Sequence, residues 1–142
     1  MAQRLLNMQY PPMLAKKGLI VVIDDHPSVR KSLARLLRAA GYKAQTFTGA
    51  NEVLSANAAN HASCLIIDVG LPGMDGFELQ RELAAQGITA PAIFISGHDT
   101  ANRLHAEAMQ RGAMGFLRKP FSAHDLLAAI EQGRAEGPAG AT

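Results

Sequence analysis

Residues 19–41 read LIVVIDDHPSVRKSLARLLRAAG. Five apolar, mostly β-branched residues come first, then two adjacent acids, then a stretch of helical period. From Pro27 to Ala40 the apolar residues Val29, Leu33, Leu36, Leu37 and Ala40 share one face, with Arg30, Lys31 and Arg38 opposite. Gly41 stands where that helix must stop. A strand apolar at every position is covered on both faces, as in a parallel sheet with helices on each side. The stretch therefore predicts a buried strand over Leu19–Asp24 feeding an amphipathic helix.

The same alternation continues along the chain. Apolar runs occur at Cys64–Asp68, Ala92–Ser96 and Gly115–Arg118, with a more mixed run at Lys43–Phe47. Helical stretches are predicted at Ala50–Asn57, Gly76–Gln86, Thr100–Gln110 and Ser122–Gln132. Ser122 and Asp125 have the spacing of a capping box, and Gly87, Gly112 and Gly133 sit where helices should end. Five strands alternating with five helices give an α/β fold, a doubly wound parallel sheet of (βα)5 type. The domain is expected over residues 18–132, with an N-terminal extension at 1–17 and a flexible Gly/Ala/Pro-rich tail at 133–142.

Composition narrows the function classes. With 142 residues, 48% hydrophobic and 18% charged, the chain has enough for one ordinary domain. Its single cysteine, Cys64, rules out an internal disulfide and reads as an inert buried thiol. The longest apolar runs are too short to cross a bilayer, so no membrane is expected and the cytoplasm is the default location. The formal net charge is +2, yet residues 19–132 carry ten Lys/Arg against eleven Asp/Glu. The excess sits in the flanks, on Arg4, Lys16 and Lys17, so no nucleic-acid-binding stripe is expected.

In doubly wound sheets ligands bind beyond the carboxyl ends of the strands. Those ends present Asp24 and Asp25, then Asp68, then Ser96, and finally Lys119-Pro120. Three carboxylates packed together repel, and remain ionised together only beside a cation. Oxygen donors without His or Cys suit Mg²⁺, with Mn²⁺ tolerated. The Ser96 hydroxyl and Lys119 ammonium would then donate to a phosphate on the same ion.

Four motifs, VVIDDHPSVR, LIIDVGLPGMDG, AIFISGHD and GFLRKPF, resemble in order and spacing those of a bacterial response-regulator receiver domain. This is the phosphoacceptor half of two-component signalling. The local sequence around VRKSLARLLRAAGY is similar to receivers of LuxR-type, FixJ-like regulators. The resemblance implies a flavodoxin-like sheet of order 2-1-3-4-5. It implies Asp68 as phosphoacceptor, with Mg²⁺ held by Asp24, Asp25, Asp68 and the backbone carbonyl of Gly70. Lys119 would pair with Asp68 and then with the phosphoryl group, across a cis Lys119-Pro120 peptide. Ser96 would move to a phosphoryl oxygen and Phe116 would rotate in behind it. The partners implied are a sensor histidine kinase or histidine phosphotransferase, and a target or second copy on the face of the fourth helix, fifth strand and fifth helix. The chain itself would be a signalling phosphoacceptor rather than an enzyme with an external substrate.

Some positions depart from the family's commonest pattern. His26 follows the acidic pair and reads as a solvated loop residue, or else as a group weakening metal binding at low pH. Gly70 and His98, two residues after Asp68 and Ser96, are expected to tune dephosphorylation. LPGMDG reads as a tight loop into a helix rather than a phosphate-cradling loop. His61 and His105 are expected at the surface, Met109 and Met114 in the core. The chain as given holds no output domain and reads as a single-domain regulator or as the receiver of a transcription factor. A Mg²⁺-dependent phosphatase of haloacid-dehalogenase type needs Asp-x-Asp on the first strand, which the adjacent Asp24 and Asp25 do not supply. A degenerate receiver, acting only as a binding module, is disfavoured by the complete residue set.

Overall fold

The apolar run at 19–23 forms β1 (Leu19–Ile23), in which Ile20 to Ile23 are at most 1% exposed. The structure, a computed structural model, describes residues 18–97 and 101–136. After β1 come α1 (Pro27–Ala39), β2 (Lys43–Phe47), α2 (Ala50–Ala56) and a 3-10 turn (Ala58–His61). These are followed by β3 (Cys64–Asp68), α3 (Gly76–Ala85), β4 (Ala92–Ser96), α4 (Ala101–Gln110), β5 (Gly115–Arg118) and α5 (Ala123–Glu136). The five strands make one parallel sheet in the order β2-β1-β3-β4-β5. Fold class and strand order agree with the sequence expectation.

Successive side chains of a strand point to opposite faces, and here both faces are apolar. Val21, Ile23, Leu65, Ile67 and Phe94 pack with Val53, Phe77, Leu79, Leu83 and Ala108, so α2, α3 and α4 cover one face. Ile20, Val22, Ile66, Ile93 and Ile95 pack with Leu33, Leu37, Leu126 and Ile130, so α1 and α5 cover the other. Pro27 opens α1, where its missing N–H costs nothing. Gly41, Gly87 and Gly112 take positive φ just past α1, α3 and α4, as helix stops do.

Two expectations are corrected. Gly133 does not end the last helix: α5 runs on to Glu136, so residues 133–136 belong to the helix rather than to a tail. Gly133 is buried, and a Cβ there would lie 1.4 Å from Met114 Sδ, so the residue serves close packing against β5's entry. Met109 is 47% exposed, not core. The N-terminal extension and residues 137–142 lie outside the described residues.

Gly76, the first residue of α3, is a second close approach. A Cβ there would stand 2.7 Å from the Asp68 carbonyl oxygen and 2.9 Å from Val69 Cα, both backbone atoms that cannot swing away. Gly76→Ala is expected to lower stability by about 2 kcal/mol, the usual scale of core overpacking. At Gly133 the nearest atoms an added Cβ would meet are Sδ, Cγ and Cε of the flexible Met114 side chain, and Ala gains helix propensity, so the cost of Gly133→Ala is expected to be smaller than that of Gly76→Ala. Urea denaturation of the two variants checks the order.

Candidate functional site

Among the described residues, the buried polar or charged ones are Asp24, Asp68 and Ser96, at 0%, 3% and 0% exposure. All three stand at the carboxyl edge of the sheet. Ile23 pairs with Ile67, so Asp24 and Asp68 leave β1 and β3 side by side. Asp68 pairs with Ile95, which puts Ser96 one step further on the next strand. Ser96 pairs with Arg118, and the Lys119 N–H donates to the Ser96 carbonyl at 2.8 Å. The backbone ladder thus delivers each side chain to one edge.

The charges then meet. Lys119 Nζ lies 2.9 Å from Asp24 Oδ2 and 3.4 Å from Asp68 Oδ2. Asp24 Oδ2 is fully buried and receives no aligned hydrogen bond, so its contact with the ammonium is ionic. Asp68 Oδ1 accepts the Gly70 N–H at 3.0 Å, and the Arg30 guanidinium donates to the Asp24 carbonyl at 2.7 Å. Asp25, with a side chain 36% exposed, sits at the mouth. The Lys119–Pro120 peptide is cis.

Burial raises the Asp68 pKa above the ordinary carboxylate value, and the neighbouring Asp24 charge raises it further. The Gly70 hydrogen bond and the Lys119 charge oppose this without cancelling it. Burial alone would lower the Lys119 pKa, but Asp24 and Asp68 together outweigh it and hold the ammonium protonated beyond its usual range. Cys64 is buried in the sheet, where desolvation pushes its thiol up to about 12, so it is no nucleophile.

His26 is exposed, its side chain at 59%, as a solvated loop residue is; at the same time its Nδ1 lies 2.9 Å from Asp24 Oδ1, 3.2 Å from Asp25 Oδ1 and 3.9 Å from Asp68 Oδ2. The donor set at the cluster is therefore not oxygen alone. Asp24, Asp25, His26 and Asp68 offer one ligand atom each, all within 4.8 Å of one another. Opposite ligands of a single divalent ion stand about 4–5 Å apart, so this group is able to hold one.

The remaining candidates are placed less tightly. Phe116 is half-buried against the core on the α4 side, its ring stacked on the exposed His105 at a centroid separation of 5.2 Å. His61 and His105 are exposed, as expected. His98 lies outside the described residues. Among the described residues no helix is long and apolar enough to cross a membrane.

A family model for the response regulator receiver domain matches residues 20–131. Nodulation protein W of Bradyrhizobium diazoefficiens is 40% identical over 114 residues, covering 80% of this chain and 50% of its own length. Full-length FixJ from B. japonicum superposes with a TM-score of 0.77 at 38% identity, covering 87% of this chain and 61% of FixJ. A receiver protein from Burkholderia phymatum gives 0.67 at 40% identity, covering 80% of this chain and 95% of that one. The chain spans about half the length of the curated relatives it matches.

The raised Asp68 pKa carries a sign. The folded state holds the Asp68 proton more tightly than the unfolded chain, so the group's contribution to stability falls as pH rises from about 3.8 through the raised value. Above that range the buried charge is a net cost. In chelator at neutral pH, Asp68→Asn is expected to unfold at higher urea than the native protein, since Asn still accepts from Gly70. The advantage should shrink as pH falls toward 3.8, which urea melts across pH check.

Proposed function

The chain belongs to the response-regulator receiver family, and from that premise we propose that Asp68 takes a phosphoryl group from a phosphohistidine of a sensor kinase or histidine phosphotransferase. The observation that carries this is the burial of Asp24, Asp68 and Ser96, and no other polar residues among those described, at one sheet edge under the Lys119 ammonium. A carboxylate held there, with one oxygen fixed by the Gly70 N–H, is oriented for in-line attack.

In the transfer a P–O bond to Asp68 forms as the P–N bond of the phosphohistidine breaks, and the departing imidazole takes up a proton. Phosphoryl transfer passes through a loose anionic transition state, so the protein's task is positioning and charge neutralisation. Mg²⁺, with Mn²⁺ tolerated, held by Asp24, Asp25, Asp68 and the Gly70 carbonyl, would supply positive charge for the phosphoryl oxygens. Lys119 moves its ammonium from the two carboxylates to the new phosphoryl group, and the Ser96 hydroxyl donates to another oxygen. Withdrawal of Ser96 then frees space for Phe116 to leave its stack on His105, reshaping the surface of α4, β5 and α5 for a target or second copy. Gly70 and His98, two residues after Asp68 and Ser96 in the sequence, would tune the attack of water that reverses the reaction.

A cleft of about 540 Å³ opens beside Lys119, between α1 and the segment leading into α5, lined by Val29, Leu33, Leu36 and Phe121. Its apolar walls next to the acceptor suit the docking of a phosphodonor helix.

The test is intact mass after incubation with acetyl phosphate and Mg²⁺. Native protein is expected to gain a single phosphoryl adduct that Asp68→Asn does not. No adduct on native protein overturns the proposal, and repeated turnover of phosphate esters would instead favour a phosphatase of haloacid-dehalogenase type.

A further inference from the structure

His26 occupies the N-cap position of α1, where a short polar side chain usually accepts from the helix's first N–H groups. It makes no such bond. Its backbone is extended, at φ −94° and ψ 115°, the conformation that a following proline enforces. From there both its backbone N–H, at 2.8 Å, and its ring Nδ1, at 2.9 Å, converge on Asp24 Oδ1. The same nitrogen is 3.2 Å from Asp25 and 3.9 Å from Asp68. Nδ1 is thus held against the acidic group by the backbone that leads into the helix, while most of the side chain stays exposed. Beneath it Asp24 Oδ2 is buried against the Lys119 ammonium at 2.9 Å, so a second cation at the cluster is met by Asp24 Oδ1, Asp25, Asp68 and the ring nitrogen.

We propose that His26 Nδ1 is a ligand of the divalent ion held by this cluster, and that it shifts the site toward ions that accept imidazole, Mn²⁺ and Co²⁺, relative to Mg²⁺. The inference rests on the reading of Asp24, Asp25 and Asp68 as a metal site. Carboxylate and carbonyl oxygens alone suit Mg²⁺, whereas an imidazole nitrogen adds affinity along the transition series and little for Mg²⁺. Ligation uses the Nδ1 lone pair with the ring proton on Nε2, so the bond to the ion would take the place of the Nδ1 contact with Asp24. The ion and the first turn of α1 are then joined through one side chain.

Mn²⁺ added to the native full chain and followed by electron paramagnetic resonance tests this directly. Bound Mn²⁺ is expected to show spin-echo modulation from a coordinated ¹⁴N nucleus. His26→Gln should still bind Mn²⁺ but lose that modulation. Its Co²⁺ affinity should fall by about tenfold or more, the scale on which losing even a ligand-orienting group weakens metal binding. Its Mg²⁺ affinity, by calorimetry, should change by less than about twofold, because Mg²⁺ gains little from nitrogen. His98→Ala should keep the nitrogen signal. Mn²⁺ bound without nitrogen modulation, or modulation that survives in His26→Gln, overturns the role of His26 and leaves the acidic site standing. No Mn²⁺ or Mg²⁺ binding to native protein, with loss of nothing further in Asp25→Asn, overturns the metal-site reading itself.

Discussion

Two carboxylates, Asp24 and Asp68, are buried side by side at the ends of adjacent parallel strands, and the rest of the site answers that repulsion. The pairing of Ile23 with Ile67 leaves them no separation along the strands. Burial and the neighbouring charge both push the Asp68 pKa upward, so the ionised pair is held against a cost. Lys119 offsets part of it from β5. That strand is two strand spacings from β3, about 10 Å, and only a long side chain crosses the gap. Its stem passes Gly97, where even an added Cβ would make ordinary contact at 3.6 Å. The strand order places β4, with Ser96 and Gly97, between the acceptor and its counter-charge.

The scaffold around β3 is correspondingly exacting. The chain leaves Asp68 and turns into α3 so closely that Gly76 is the residue its backbone admits. The Gly76 N–H returns to the Val69 carbonyl, and the Val69 N–H reaches across to the Ile95 carbonyl. At the head of α3, Asp75 and Glu78 form a reciprocal capping box, with contacts of 2.9 and 3.0 Å. Each of these ties holds the loop after Asp68, which keeps the Gly70 N–H on the carboxylate. An apolar sheet and helix start therefore become precision at one side chain.

Much of this was legible because it depends on period and order. Strand residues 19–23, 64–67 and 92–95 are apolar throughout, and the polar residue that follows each run, Asp24, Asp68 or Ser96, is the one the structure gathers. What escaped depends on tertiary approach. Gly133 has the composition of a helix stop, yet its role is set by Met114 across the packing interface. Ser122 and Asp125 suggested a capping box, and the Ser122 hydroxyl does accept from the Asp125 N–H at 2.9 Å. The LPGMDG segment reads as a tight loop into a helix, but its Gly and Pro mask the Asp75–Glu78 box that starts that helix. Met109 lies on a helix whose apolar face is narrow, so a methionine beside it reaches solvent. His26 follows the acidic pair directly and is exposed as a loop residue is, but nothing in spacing tells which way Nδ1 of such a ring faces.

That last direction changes how the cluster is understood. Three carboxylates against the Lys119 ammonium leave a formal charge of −2 at the edge of the sheet. This is a demand for charge, and any divalent cation of suitable size meets it. A neutral imidazole supplies a lone pair and no charge, so it leaves that demand unchanged. Its effect falls on the identity of the ion, because nitrogen discriminates among divalent metals far more than carboxylate oxygen does. In the proposed site charge and selectivity are thus carried by different residues: the strand ends of β1 and β3 set the first, and His26, just ahead of α1, sets the second.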